Sequence, residues 1–221
     1  MTSNIEKKRI VIIEDHPMIR DHLAQIISKE ADLVVCGEAD NIQVGMSIIR
    51  ELSPDLVIVD ITLNGDSGLE LIKGLKMLSI PTPVLVLSMH DESLYADRVL
   101  KAGASGYITK QRASHEVIAA ARRVLAGEIY LSEKMISGVL QQFAPRGIKN
   151  VKPRSVDCLS DRELAVLELI ARGQTARAIA GALGLRTTTV ATYRARIKEK
   201  LNLQNAYELQ HFAFRWLRER E

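Results

Sequence analysis

The chain has 221 residues, more than one small core usually takes up, so two domains are expected. Hydrophobic residues make up 47% and charged residues 26%, which excludes a disordered chain, and no apolar stretch approaches the roughly 18–20 residues that span a bilayer. The net charge of +3 is uneven: residues 1–149 carry 17 basic and 19 acidic side chains, residues 150–221 carry 13 and 8, so the second part is the one suited to a polyanion.

The first 130 residues alternate short β-branched runs with amphipathic stretches. Strands are expected at Ile10–Ile13, Leu33–Glu38, Leu56–Val59, Val84–Leu87 and Gly106–Ile108, with helices at about 17–30, 41–52, 67–78, 92–102 and 114–126. Such alternation implies an α/β fold, a five-stranded doubly wound parallel sheet covered on both faces. A helix at Ser132–Phe143 follows. The stretch from Ala144 to Ser155, with Pro145 and Pro153 and no apolar period, reads as an exposed linker. From Leu159 the pattern is wholly helical, a small all-α domain. Ser160-Asp161-Arg162-Glu163 is a capping box, Gly173 stops the first helix, and a long helix runs from about Thr187 to Leu201. The boundaries expected are thus 1–130, a helix and linker over 131–156, and 157–221.

Chemistry gathers at strand ends. Glu14 and Asp15 follow the first strand and Asp60 ends the third, which puts three carboxylates at the edge where open α/β sheets bind ligands. Carboxylates so crowded repel one another unless a hard divalent cation with oxygen ligands lies between them, which points to Mg2+. Ser88 ends the fourth strand and Lys110 lies just past the fifth. A hydroxyl and an ammonium beside an acidic metal site are the groups that hold a transferred phosphoryl, whose charge sits on three equatorial oxygens. In that arrangement Asp60 is the nucleophile, Glu14 and Asp15 hold the ion directly or through water, and Thr62 offers its backbone carbonyl. Lys110 and Ser88 take phosphoryl oxygens. His16 and His90 fall near the pocket and are assigned no role. The five histidines are scattered and give no zinc-like spacing.

These residues, with Asp15-His16-Pro17 and the turn Gly103-Ala104-Ser105-Gly106-Tyr107, resemble the receiver domain of bacterial two-component response regulators over essentially residues 8–130. The resemblance implies phosphorylation of Asp60 by a sensor histidine kinase. It also gives Tyr107 the part of a switch aromatic that swings inward when Ser88 is drawn to the phosphoryl group. Two positions depart from the family. Asn64 stands where Pro is usual, followed by Gly65 in a pair that turns readily, and Met89 brings bulk after Ser88, where it would restrict access to Asp60.

The C-terminal residues Leu159-Ser160-Asp161-Arg162-Glu163, Ile179-Ala180, Leu183-Gly184-Leu185, Thr189-Val190 and Lys200-Leu201 resemble a LuxR-type helix-turn-helix over residues 157–213. With the receiver, they place the chain in the NarL/FixJ class. Thr175–Leu183 is then the scaffold helix, and Thr187–Leu201 the recognition helix that enters the major groove of double-stranded DNA. Helical spacing turns Val190, Ile197 and Leu201 to the core with Tyr193 beside them. Thr188, Ala191, Thr192, Ala195 and Arg196 are left to meet base edges. Arg194, Lys198 and Lys200 on the flanks, with Thr175 and Arg177 on the scaffold helix, suit phosphates. Arg186 replaces a frequent Ser cap, a role that passes to Thr187.

The resemblance implies a phosphorylation-dependent transcription factor, a homodimer when phosphorylated, bound to paired DNA half-sites, with contact to RNA polymerase compatible with that work. Turnover catalysis is not expected. One alternative keeps the DNA domain but makes the receiver a dimerisation unit indifferent to phosphorylation. Another, a Mg2+-dependent phosphohydrolase, usually needs a second acid two residues past the nucleophile, where Thr62 stands. Met1–Arg9 shows no apolar segment of the secretory kind. Cys36 and Cys158 lie far apart, so no disulfide is expected and a reducing cytoplasm fits.

Overall fold

A computed structural model describes residues 6–63, 66–89, 92–132, 136 and 156–218, apart from the side chains of 92–94, 96, 97 and 157. The chain divides into two compact units, Met1–Ala144 and Pro145–Glu221. The expected helix at Ser132–Phe143, the linker to Ser155 and the Asn64-Gly65 pair lie largely or wholly outside the described residues.

The first unit is built on β1 (Lys8–Ile13), β2 (Leu33–Ala39), β3 (Leu56–Asp60), β6 (Val84–Ser88) and β7 (Gly106–Thr109). They pair in parallel in the order β2-β1-β3-β6-β7. Between them run α1 (Pro17–Ser28), α2 (Ile42–Leu52), α3 (Gly68–Met77), α4 (Glu92–Ala102) and, last, α5 (Lys110–Leu125). Because both faces are covered, every residue of β3 and β6 is buried, as parallel sheets require. Alternation then sorts the side chains. Ile10, Ile12, Leu56, Ile58, Leu85, Leu87 and Ile108 form one core with Leu23 and Ile27 of α1 and Val117 and Ala121 of α5. Their neighbours Val11, Ile13 and Tyr107 point to the other face, where Gly45 of α2 stands so near Ile13 that a Cβ would lie 2.6 Å from its side chain.

Two features escape the sequence pattern. A two-residue hairpin, β4 (Thr62–Leu63) with β5 (Asp66–Ser67), carries the chain from Asp60 to α3. And α5 begins at Lys110, four residues earlier than expected, with Thr109 in extended conformation at its cap. The run Lys110–Ala113 has only one apolar residue, so periodicity does not announce that first turn.

The second unit holds α6 (Asp161–Ala171), α7 (Ala176–Ala182), α8 (Thr187–Lys200) and α9 (Ala206–Arg218), preceded by a short 3-10 turn at Val156–Cys158. Their apolar stripes meet around Leu164, Leu167, Ile179, Val190, Ile197, Leu209 and Trp216, all buried. The capping box is complete: Ser160 Oγ accepts from the Glu163 N–H at 3.3 Å, and Glu163 Oε2 accepts from the Ser160 N–H at 2.7 Å. Gly173 (φ 75°) and Gly184 (φ 63°) take the left-handed position after α6 and α7. At the second, the Leu185 N–H returns to Ala180 O at 2.8 Å, the closing bond of a Schellman motif that turns the chain sharply into α8.

Candidate functional site

The order β2-β1-β3 reverses direction between β1 and β3, the point where open α/β sheets form a crevice beyond their strand ends. Glu14, Asp15 and Asp60 all stand there. Glu14 follows β1, its N–H bonded to Ala39 O at 3.0 Å, and its carboxylate is nearly inaccessible, as is that of Asp60. Lys110, the first residue of α5, crosses from the sheet's far side to bind both. Its Nζ donates to Asp60 Oδ2 at 2.8 Å and to Glu14 Oε1 at 2.8 Å, and lies 2.7 Å from Glu14 Oε2. The Asp60 Oδ1 accepts from the Thr62 N–H at 3.0 Å, and Arg20 of α1 donates to Glu14 O at 2.6 Å.

Two carboxylates share one ammonium with that of Asp15 close by, and the charge left over is felt. Burial, and the nearby charge of Glu14, push the Asp60 pKa from 3.8 to about 6, although Coulombic attraction and a hydrogen bond from Lys110 pull the other way. Burial works against the Lys110 ammonium, yet its attraction to Asp60 and its bonds to Asp60 and Glu14 hold its pKa above the ordinary lysine value. One ligand atom each from Glu14, Asp15, His16 and Asp60 lies within 4.8 Å of the others. Such a donor set fits a hard divalent cation, which would balance the surplus negative charge.

The structure brings the expected residues to one end of the sheet. Ser88 closes β6, fully buried, and lies in register with Thr109, the residue before Lys110. Tyr107 is buried at 1% exposure. Met89 is 65% exposed, so its bulk extends largely into solvent. Two contributors were missed from sequence. Gly68, at the start of α3, sits so close to the pocket strand that a Cβ would fall 2.0 Å from Asp60 O. Tyr130 straps the free edge of β7: its carbonyl accepts from the Tyr107 N–H at 2.9 Å and its N–H donates to Ser105 O at 3.0 Å. An isolated glycine and a lone tyrosine after a helix carry no spacing signal for either role.

On the second unit, Thr188, Ala191, Thr192, Ala195 and Arg196 lie exposed along one face of α8, with Arg194 and Lys198 half-buried at its margins. Val190, Ile197 and Leu201 are buried, as their spacing implies, and Tyr193 is half-buried beside them. Thr175 and Arg177 are exposed, and Thr175 also caps α7, its Oγ1 accepting from the Ala178 N–H at 3.2 Å. One expectation needs correction. Thr187 is the first helical residue and not the cap, since Arg186 holds the extended cap position without a side-chain bond. Lys200, expected on the flank to suit a phosphate, also donates to Glu163 Oε2 at 2.6 Å.

A profile of the response regulator receiver domain matches residues 10–122, and one of the bacterial regulatory proteins of the luxR family matches residues 157–213. The virulence-factor transcription regulator BvgA of Bordetella pertussis is 39% identical over 94% of this chain and 97% of its own. The nitrate/nitrite response regulator NarL of Escherichia coli is 32% identical over 93% and 94%. RcsB of Salmonella enterica serovar Typhimurium, solved on promoter DNA in the presence of phosphomimetic BeF3-, shares the fold at a TM-score of 0.56, with 22% identity over 94% of this chain and 98% of its own. The chain belongs to the response regulators that join a receiver domain to a LuxR-type helix-turn-helix.

Proposed function

We propose that Asp60 accepts a phosphoryl group from a sensor histidine kinase and that this controls dimerisation and sequence-specific DNA binding. The observation that carries the proposal is the convergence of Glu14, Asp60 and Lys110 within hydrogen-bonding distance in a nearly closed pocket. Glu14, Asp15, Asp60 and the Thr62 carbonyl would hold Mg2+, which when bound supplies charge neutralisation at the transferring phosphoryl. Asp60 attacks phosphorus through a carboxylate oxygen while the donor's leaving group departs in line. The Thr62 N–H fixes the other Asp60 oxygen. Lys110 and Ser88 meet the phosphoryl oxygens, and the pull on Ser88 keeps Tyr107 packed inward.

The second unit would read paired half-sites about 10–10.5 bp apart, or a multiple of that, with one α8 in each major groove. The surplus of 13 basic over 8 acidic side chains after residue 149 suits DNA as the partner, and RcsB, which shares the fold, was solved bound to a promoter. Work on a promoter is compatible with contact to RNA polymerase and belongs in the cytoplasm. Among the described residues no helix is long and apolar enough to cross a membrane. The protein carries a phosphoryl group rather than turning over a substrate, and steady hydrolysis of a phosphate ester would contradict this.

Treatment with acetyl phosphate and Mg2+, followed by intact-mass measurement, tests the chemistry. One phosphoryl adduct is expected on the natural protein and none on Asp60→Asn. An equal adduct on both would place the reaction elsewhere.

A further inference from the structure

The chain leaves the first unit along the strand that carries the switch aromatic. After α5, Gly127 takes a left-handed turn (φ 83°), which sends the chain back beside β7, at the edge of the sheet. Tyr130 then pairs with Gly106 as one further rung of parallel strand. Its carbonyl accepts from the Tyr107 N–H at 2.9 Å, and its N–H donates to Ser105 O at 3.0 Å. Gly106 lets it lie so near, since a Cβ there would stand 3.1 Å from Tyr130 O and 3.2 Å from Tyr130 Cβ.

The side chain fastens this rung. Arg123 of α5 lies over the ring, 5.4 Å from its centroid, and the Tyr130 hydroxyl donates to Glu116 Oε2 at 3.2 Å. Among the described residues Tyr130 is the last that pairs with the sheet, and the sequence runs on from it through residues 131–155 to the DNA-reading unit. A single rung at a sheet edge is the kind of contact that opens without unfolding the core. Tyr107 is buried, and its ring cannot turn in close-packed surroundings unless the backbone that carries it gives. That backbone N–H is the one bonded to Tyr130.

We propose that Tyr130 is a strap whose closure follows the position of Tyr107, so that phosphorylation favours the closed strap and fixes the root of the segment leading to the DNA-reading unit. The proposal rests on phosphoryl control through Asp60, as given above. A fixed root leaves less freedom to be lost when two such units settle on paired half-sites, so binding tightens.

Amide hydrogen exchange of the full-length protein in Mg2+, with and without BeF3-, reads the strap directly. The Tyr107 and Tyr130 amides should slow about fivefold or more relative to that of Ile12 in β1, and should not slow in Asp60→Ala. DNA affinity before and after acetyl phosphate reads the consequence. Tyr130→Ala, which takes the ring from Arg123 and Glu116, should cut the tightening about fivefold or more. Its Asp60 should still gain the phosphoryl group within about twofold of the natural rate, because no hydrogen bond of Tyr130 reaches the pocket. Tyr130→Phe, which keeps the ring over Arg123, should retain most of the tightening. Unchanged exchange at both amides, full tightening in Tyr130→Ala, or a loss of tightening matched by an equal loss of adduct would each overturn the strap while leaving phosphoryl control in place. A natural protein whose DNA affinity ignores acetyl phosphate would instead remove that control, and the strap with it.

Discussion

Ionised Asp60 is held in the pocket against the preference of its surroundings. Its pKa, about 6 when folded against 3.8 ordinarily, means that the folded state keeps a proton the unfolded chain has lost. Stability from this group is therefore complete below about pH 4 and declines as pH rises through about 6. Asp60→Asn removes the decline. Urea titrations should show the variant more stable by about 1–3 kcal/mol at pH 8, with the gain shrinking toward zero at pH 4. A gain independent of pH would mean that Asp60 is not strained by its charge. Glu163 runs the other way. Burial raises its pKa, but hydrogen bonds from Lys200 and Ser160 outweigh that and hold it below the ordinary value, so its contribution is present at neutral pH and lost on acidification. Glu163→Gln should cost the second unit about 1–3 kcal/mol at pH 7 and progressively less in acid, read from the unfolding transition. Of these two groups, the pocket carboxylate was legible in the sequence because it ends an apolar run. The Lys200 partner of Glu163 was not, since a contact across 37 positions leaves no local pattern.

At the level of elements, the five sheet strands match their apolar runs to within two residues, most plainly β3 and β6, whose burial on both faces demands a near-continuous apolar sequence. The hairpin Thr62–Leu63 and Asp66–Ser67 and the first turn of α5 were not legible. Both are set by tertiary demands: the hairpin by the short path from Asp60 to Gly68, the turn by the reach of Lys110 into the pocket. Gly68 owes its place to the same crowding. Gly68→Ala should push α3 off the Asp60 carbonyl and slow phosphoryl uptake at least about tenfold, measured by the rate of adduct formation. Gly184 differs, because nothing lies within 4 Å of a Cβ built there and only its φ of 63° is at stake. Gly184→Ala should therefore cost only about 1 kcal/mol in thermal stability, without loss of the helix-turn-helix.

For the whole molecule, the acidic first unit and basic second unit divide the work between phosphoryl chemistry and DNA. The two readers on α8 should separate experimentally. Lys198→Ala should weaken all DNA sequences alike and flatten the salt dependence by about one unit of slope. Arg196→Ala, on the exposed face, should instead cost about 1–3 kcal/mol on the preferred sequence and relax specificity there. The most direct test of the central claim is DNA affinity on a selected operator, before and after acetyl phosphate with Mg2+, for the natural protein and for Asp60→Ala. Phosphoryl control predicts that treatment tightens specific binding by about fivefold to 150-fold, as coupling of 1–3 kcal/mol implies, and only where Asp60 is present. Equal affinity for both proteins, treated or not, would make the receiver a dimerisation unit indifferent to phosphorylation and contradict the claim.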